Sequence, residues 1–547
     1  MNKINITKQG FEISISRRFL GYFRIPFKPE IFIFLISSIL AIAASAFYYY
    51  KDNIVAYGDA ESHLNIAKRV VDSLTPGMAQ LGGIWLPLPH ILLIPFVKFD
   101  FLWRSGLAGS IVSGIAFVIA AIFIYKLVFL LTERKGASYL ASFVFMLNPN
   151  VLYMQATPMT ELPLIAFSVL SVYYLVKYIS VEERIIYLIS TSLFGFCAAL
   201  SRYDGWFLIA IEALVLALFY FPYSDLRKGL GELFAKRDWS RWYKLEGILI
   251  LFCTISFFSI ILWLGWDWLI LGDPFYFTHS EFSAKSQQQG WLAHGELPAY
   301  HNIGVSILYY VATSMANIGN LIFIVSVLGL LIYVLKNPGF KKLLISLLLL
   351  TPFLFYVITL YMGQSVIFIP SVTPTTFDWT LFNVRYGIMM VPFAAIFIGY
   401  IFYYFKAVGK TVILFLFMVQ SLFFGFGYDK TISLADGTEG LSHAKRPDAE
   451  RFVKENYDGG LVLIDDFSRT VSIIRSGIPM QNIIYVGNKP YWEESFETPE
   501  KYARWIIFQK NDTIWKDIYE HQEMQDRLYA YFQKVYESPD ILIFRKP

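Results

Sequence analysis

The chain has 547 residues, of which 56% are hydrophobic and 16% charged, with a formal net charge of +4. Soluble domains carry roughly 25% charged residues, so composition excludes an ordinary soluble enzyme, and so small a positive balance gives no support for nucleic-acid binding. The only cysteines, Cys197 and Cys253, lie inside apolar runs, which excludes a disulfide framework and a cysteine metal site. A basic N-terminal stretch (Lys3, Lys8, Arg17, Arg18, Arg24, Lys28) leads into an apolar run over 31–50. Ala44-Ser45-Ala46 imitates a cleavage site, but run and basic stretch are both long for a signal peptide, so this reads as an uncleaved first span.

Further apolar runs lie near 108–131, 137–155, 162–180, 185–200, 206–222, 246–271, 304–335, 343–362, 385–404 and 411–427. A helix of about twenty residues crosses the roughly 30 Å of membrane hydrocarbon, so the expectation is a polytopic α-helical membrane protein of about eleven spans, with 304–335 long enough to be broken. With the N-terminus inside, the loops 132–135, 223–245, 336–342 and 406–410 are basic and cytoplasmic, as the positive-inside rule requires; 181–184, where acid outnumbers base, departs from it. The outer loops are then 51–107, 156–161, 201–205, 272–303 and 363–384. From about 440 short apolar runs alternate with turn formers. Pro447–Asn456 is expected as a helix, Leu461–Ile464 as a strand, Ser468–Ser476 as a helix, Asn482–Val486 and Trp505–Gln509 as strands, Thr513–Gln533 as one long helix and Ile541–Arg545 as a last strand. The expected organisation is a membrane domain over 1–430 and a small α/β domain over 440–547 outside the membrane, in a multi-pass cell-membrane protein. The sequon at Asn511 falls in that outer region and is weak by itself. No P-loop and no dinucleotide-binding glycine motif is present.

The first outer loop carries the densest chemistry. Asp59, Glu61 and His63 fall within five residues at the start of a predicted helix over Asp59–Asp72, whose apolar side is Leu64, Ala67, Val70 and Val71. Asp59 lies where the helix dipole favours a carboxylate. Helical spacing puts Asp59 and His63 on one face and turns Glu61 away. Trp85-Leu86-Pro87-Leu88-Pro89-His90 forms a stiff re-entry, and His90 is a substrate-binding candidate. Glu161, at the start of a span, reads equally as a functional acid or as a helix N-terminal acid with Thr157 or Thr160 as cap. Arg202 and Asp204 read as an ion pair between spans or as site residues. Arg385, next to Tyr386, suits a phosphate by paired hydrogen bonds, or snorkels to headgroups. The polar and aromatic loop 272–303, with His279, resembles sugar-binding surfaces. All of these fall on one side of the inferred topology, where two carboxylates and an arginine can deprotonate a hydroxyl and hold a phosphorylated leaving group.

A cytoplasmic N-terminus, one span and a long outer loop with an acidic motif on a juxtamembrane helix resemble the GT-C glycosyltransferases. The closer likeness is to the branch of protein O-mannosyltransferases (glycosyltransferase family 39), aminoarabinose transferases and oligosaccharyltransferase catalytic subunits. The residues that carry it are Gly58-Asp59-Ala60-Glu61-Ser62-His63, the Trp85–His90 segment, Thr160-Glu161 and the C-terminal α/β region. O-mannosyltransferases carry adjacent Asp-Glu, whereas Ala60 separates the two acids here, so which of Asp59 and Glu61 is the base stays open. The resemblance implies a sugar donor on a polyprenyl phosphate (dolichyl or undecaprenyl), an unidentified acceptor on the extracytoplasmic face and inversion at the sugar. It also implies Asp59 as general base, Glu161 as supporting acid, in some members through a divalent metal ion on Asp59 and Glu161, and Arg385 or Arg202 on the donor phosphate. The alternatives are a transporter or flippase of lipid-linked sugars, which would place ionisable groups at mid-membrane, and an O-antigen-ligase-type enzyme, which would rest on the 272–303 loop.

Overall fold

A computed structural model describes residues 4–547 apart from 8–9, 18–19, 222–238, 281–282, 378–380, 442, 444–445 and 467–470. Arg227, Lys228, Lys236 and Arg237 of the expected basic inner loop, and the start of the expected 468–476 helix, lie outside the described residues. The N-terminal stretch, read as a basic lead-in, forms an antiparallel three-stranded sheet, β1 (Ile4–Thr7), β2 (Gly10–Arg17) and β3 (Leu20–Phe27).

Among the described residues, six single helices are long and apolar enough to cross a membrane: Pro29–Tyr50, Leu107–Thr132, Glu161–Ser180, Trp242–Leu271, Val384–Tyr404 and Ala407–Gly425. Two bent pairs bring the number to as many as 8. The about eleven spans expected exceed this number because the runs 137–155, 185–200 and 206–222 form helices shorter than 18 residues, while the bent pairs are the expected runs 304–335 and 343–362. Ile303–Ile318 and Asn320–Leu335 meet at 114° across Gly319, whose φ of 93° no helix residue adopts. Phe340–Leu349 and Thr351–Tyr361 meet at 55°, where Pro352 lacks the N–H that a continuous helix needs. The run over 137–155 splits into Lys135–Met146 and Pro149–Met154: Pro149 interrupts the ladder, and Asn148 restarts it by accepting from the N–H groups of Asn150 (2.9 Å) and Val151 (3.1 Å). The helices Ile185–Ala199 and Asp204–Tyr220 have 15 and 17 residues.

Residues 462–545 form a five-stranded sheet of order β5-β4-β6-β8-β7, with β4 (Val462–Ile464), β5 (Ile483–Ile484), β6 (Trp505–Gln509), β7 (Gln533–Glu537) and β8 (Ile541–Arg545). β4 pairs parallel with β5 and β6, and β6, β8 and β7 pair antiparallel. Alternate residues point to opposite faces, and both faces are buried. Val462, Ile464, Trp505 and Ile507 pack with Leu64, Ala67, Leu93 and Trp103 of the segment 58–104, while Leu463, Ile506, Phe508 and Phe544 pack on the far side against Ile518 and Leu528. The C-terminal sheet and the first long loop thus share one core. Thr513–Gln533 is not one long helix: a π-turn over Trp515–Tyr519 precedes a helix over Gln522–Tyr531, and Gln533 already opens β7. The expected 468–476 helix reduces, within the described residues, to Ile473–Ser476.

Candidate active site

The helix Gly58–Val71 forms where it was expected. Asp59 and Glu61 occupy its first turn and Lys68 and Arg69 its last, matching the helix dipole at both ends. Its buried side, with Ala60, Leu64 and Ala67, fixes its rotation and leaves Asp59 half-open on a cavity of about 1300 Å³ at the end of the helix bundle that carries the C-terminal sheet. A second element reaches the same point from the far end of the chain. Asn383 takes the left-handed conformation (φ 53°), which asparagine tolerates, and donates from Nδ2 to the Val366 carbonyl at 3.1 Å. The 3-10 turn Val384–Met390 follows, and it lies so close to the helix Ile303–Ile318 that a Cβ on Gly387 would stand 2.3 Å from the Thr313 carbonyl oxygen. This turn drives Arg385 into the interior.

Arg385 is the centre of the cluster. Its Nη2 donates to Asp59 Oδ2 at 2.7 Å and its Nε to Glu161 Oε1 at 3.2 Å, with Asp436 Oδ2 4.0 Å from Nη1. Arg202 shares the same Glu161 oxygen, Nη1 to Oε1 at 3.1 Å, and also reaches Thr160 Oγ1 (3.0 Å), Tyr356 Oη (3.4 Å) and Asp204 Oδ1 (3.6 Å). Both guanidiniums lie 5.2 Å from the Tyr386 ring centroid, close enough for cation–π attraction. The Tyr356 hydroxyl donates to Asp204 Oδ2 at 2.6 Å. Arg202 and Asp204, two residues apart, pair within one loop rather than between spans. Glu161 is fully buried, and its Oε2 has no hydrogen-bond partner among the described residues. Neither threonine caps its helix by side chain: Thr160 Oγ1 accepts from Arg202, and Thr157 Oγ1 bonds the Met154 carbonyl. The side chain of Asp59 is 38% exposed against 0% for Glu161, so Asp59 meets the cavity while Glu161 lies behind it against the two arginines.

The other expected site residues separate into distinct places. Glu61 turns to the C-terminal region, where its Oε1 accepts from the Ile474 N–H at 3.2 Å; burial there raises its carboxyl above the usual range. His63 lines the cavity, and its Nδ1 lies 2.9 Å from Nε2 of His90, which is fully buried behind it and does not line the cavity. His90 is therefore not a direct substrate contact. His279 stands on the rim, largely exposed and paired with Asp273 at 2.6 Å. The helix Ala284–Ala293 of the 272–303 loop walls one side with Lys285, Gln288 and Trp291, and Asp466, Ser472 and Gln509 wall another. Three residues were missed. Asp436, in a short helix Ile432–Glu439, accepts from the Arg385 N–H (3.5 Å) and the Tyr57 hydroxyl (3.3 Å), and burial pushes its carboxyl up to about 6. An acid in the apolar stretch just after the last span was its only signal. Tyr57, in the first outer loop, and Tyr356, inside the run 343–362, had none, being aromatic residues without a charged neighbour in an apolar stretch.

Beneath the cluster a narrow cavity of about 70 Å³ runs between helices, with Asp204 at its polar end and Leu164, Val169, Leu348 and Phe393 along it. The arrangement does not fit a divalent metal ion. The guanidinium of Arg385 already stands between Asp59 and Glu161, and no group of three histidine, cysteine, aspartate or glutamate side chains is gathered to hold one among the described residues.

No protein-family model matches the chain, and no curated protein sequence matches it. Solved structures do. ArnT from Cupriavidus metallidurans bound to undecaprenyl phosphate aligns with a TM-score of 0.55 at 9% identity, over 92% of this chain and 97% of that one. Its apo state aligns at 0.53 and 10% identity over the same shares. The apo oligosaccharyltransferase of Archaeoglobus fulgidus aligns at 0.48 and 11% identity, over 95% of this chain and 74% of that one. At such identities the likeness to ArnT establishes the fold: this chain has the GT-C fold of polytopic membrane proteins over nearly its whole length.

Proposed function

We propose that the protein is a membrane glycosyltransferase that moves a sugar from a polyprenyl-phosphate carrier to a hydroxyl of an acceptor on the extracytoplasmic face. The observation that carries this reading is Asp59: a half-exposed carboxylate, oriented by Arg385, on a large cavity that also holds Arg202. ArnT, of the same fold, binds undecaprenyl phosphate in one of its structures. The narrow apolar cavity ending at Asp204 offers a lipid chain a path up to the arginines.

In the reaction Asp59 takes the proton of the acceptor hydroxyl, whose oxygen forms a bond to the anomeric carbon of the sugar. The bond from that carbon to the phosphate oxygen breaks, and the polyprenyl phosphate leaves with the electron pair. Attack from the face opposite the leaving group inverts the anomeric centre. Arg202 and Arg385 hold the charge that develops on the phosphate, and the buried Glu161 holds the two guanidiniums together as a positioning residue. Glu61, turned away toward Ser472 and Ile474, braces the loop.

Arg202→Gln tests the donor seat. A charge-assisted hydrogen bond to phosphate is worth about 1.5–3 kcal/mol, so binding of undecaprenyl phosphate to the purified protein is expected to weaken by roughly 10- to 100-fold, with partial recovery in Arg202→Lys. Unchanged affinity removes Arg202 from the phosphate.

A further inference from the structure

The helix Ile303–Ile318 stops at the Gly319 bend, and a helix that stops leaves its last carbonyls without a partner from a following turn. In a continuous helix the N–H of Leu321 would bond to the Asn317 carbonyl; here it donates to Gln420 Oε1 at 3.0 Å instead. Two side chains take the carbonyl so released, Asn148 from Nδ2 at 2.8 Å and Asn150 from Nδ2 at 3.0 Å. The side chain of Asn317 is fully buried. Its Nδ2 donates to the carbonyls of Thr313 (2.9 Å) and Val384 (2.7 Å), and its Oδ1 accepts from Ser433 Oγ at 3.0 Å. Carbonyls only accept, so the two bonds to them fix which end of the amide is nitrogen. Asn150 is fixed in the same way: its Oδ1 accepts from the Ser433 N–H at 2.9 Å. The Tyr57 hydroxyl donates to the Ser433 carbonyl at 2.5 Å and joins the first outer loop to this network.

Two segments of the site meet here. Val384 directly precedes Arg385, and Ser433 lies about one turn before Asp436 in the helix Ile432–Glu439. We infer that Asn317 is a positioning residue of the arginine centre: by holding the Val384 carbonyl and the Ser433 hydroxyl it fixes the turn that carries Arg385 against the helix that carries Asp436. Asn317 does not line the cavity, so it acts through Arg385 and not on substrate. There is no slack in the joint, since a Cβ on Gly387 would stand 2.5 Å from Asn317 Nδ2. A buried network with its donors and acceptors paired holds one arrangement rigidly. The bend at Gly319 thus gives the site the carbonyl around which the network is built. The inference rests on the sugar-transfer reading for what Arg385 is positioned to do; the placement of Arg385 does not.

The test reads Arg385 itself. The full-length protein is labelled with 15N-arginine and held in detergent micelles, and the Arg385 Nε–H, which donates to Glu161, is assigned with Arg385→Lys. Its exchange with water is expected to be at least about tenfold faster in Asn317→Leu, as for a lost buried hydrogen bond, while backbone exchange in the helix Leu107–Thr132 stays as in the wild type. Ser142→Ala, which removes a buried bond to the Ala121 carbonyl, should leave the Arg385 signal unchanged. Undecaprenyl phosphate should bind roughly tenfold more weakly to Asn317→Leu and as in the wild type to Ser142→Ala. Where Asn317→Leu does not fold, Ser433→Ala, which removes only the bond to Asn317 Oδ1, should speed Arg385 exchange in the same direction. Unchanged Arg385 exchange overturns the inference. So does an equal rise at Arg385 and in Leu107–Thr132, which is general loosening, or an equal rise in Ser142→Ala. Failure of the wild type to bind undecaprenyl phosphate instead counts against the sugar-transfer reading, and the exchange result still decides the placement.

Discussion

Glu161 is fully buried, yet one of its oxygens takes hydrogen bonds from two arginines on different parts of the chain. A buried carboxylate is held by its partners, and in the proposed reaction it keeps the two guanidiniums together. Asp436 is the contrasting case. Burial outweighs the attraction of Arg385 and raises its carboxyl to about 6 against an ordinary 3.8. Because the folded value lies above the unfolded one, its contribution to stability is present below about pH 4 and is lost as pH rises through 6. The thermal unfolding temperature of the purified protein is therefore expected to fall between pH 5 and pH 7.5, and Asp436→Asn to flatten that fall; an equal fall in the variant would assign it to other groups. At this scale Asp59, Glu161, Arg202 and Arg385 were legible because charge next to an apolar run is costly and needs a reason. Which oxygen faces which guanidinium was not legible, since those contacts join residues up to 326 positions apart. Asp59 and Glu61 both line the cavity, and of the two it is Asp59 that contacts Arg385.

At the scale of elements, the helix Gly58–Val71 is clamped to the C-terminal sheet. Arg69 makes a two-pronged ion pair with Asp466 and stacks 3.6 Å from the Tyr485 ring centroid, and Tyr485 in turn donates to Gln80. Both charges are buried, and removing one partner of a buried pair costs about 3–5 kcal/mol. Arg69→Ala should therefore speed hydrogen exchange in β4 and β6 by a factor of a hundred or more, while the helix Leu107–Thr132 exchanges as before. Unchanged exchange in β4 would mean that the shared apolar core alone holds the sheet in place. The strands β4, β6 and β8 were readable as short apolar runs between turns. Thr513–Gln533 misled because its polar spacing suits a helix throughout, and only pairing with β8 makes Gln533–Glu537 a strand. The N-terminal strands were hidden by the same basic residues that mark orientation.

For the whole molecule, the apolar runs were enough to expect a polytopic membrane protein, while the likeness to the GT-C fold came from the motifs at 58–63, 85–90 and 160–161 together with the C-terminal α/β region. The expected runs that fall short of spanning length among the described residues are 137–155, 185–200 and 206–222, whose longest helices have 12, 15 and 17 residues. Orientation is carried by the charge of the loops. The exposed Asn511 gives a direct check: in Asn511→Cys a membrane-impermeant maleimide should label intact cells, and labelling only after permeabilisation would reverse the topology. The central claim is sugar transfer with Asp59 as base. Its most direct test is transfer from a radiolabelled glycosyl polyprenyl phosphate to endogenous acceptors in membranes that contain the protein, compared with Asp59→Asn. Loss of a positioned general base is worth about 10²–10⁴-fold in rate. The account expects wild-type membranes to transfer label and Asp59→Asn to lose at least a hundredfold while still binding undecaprenyl phosphate. Transfer at the full rate by Asp59→Asn would contradict it.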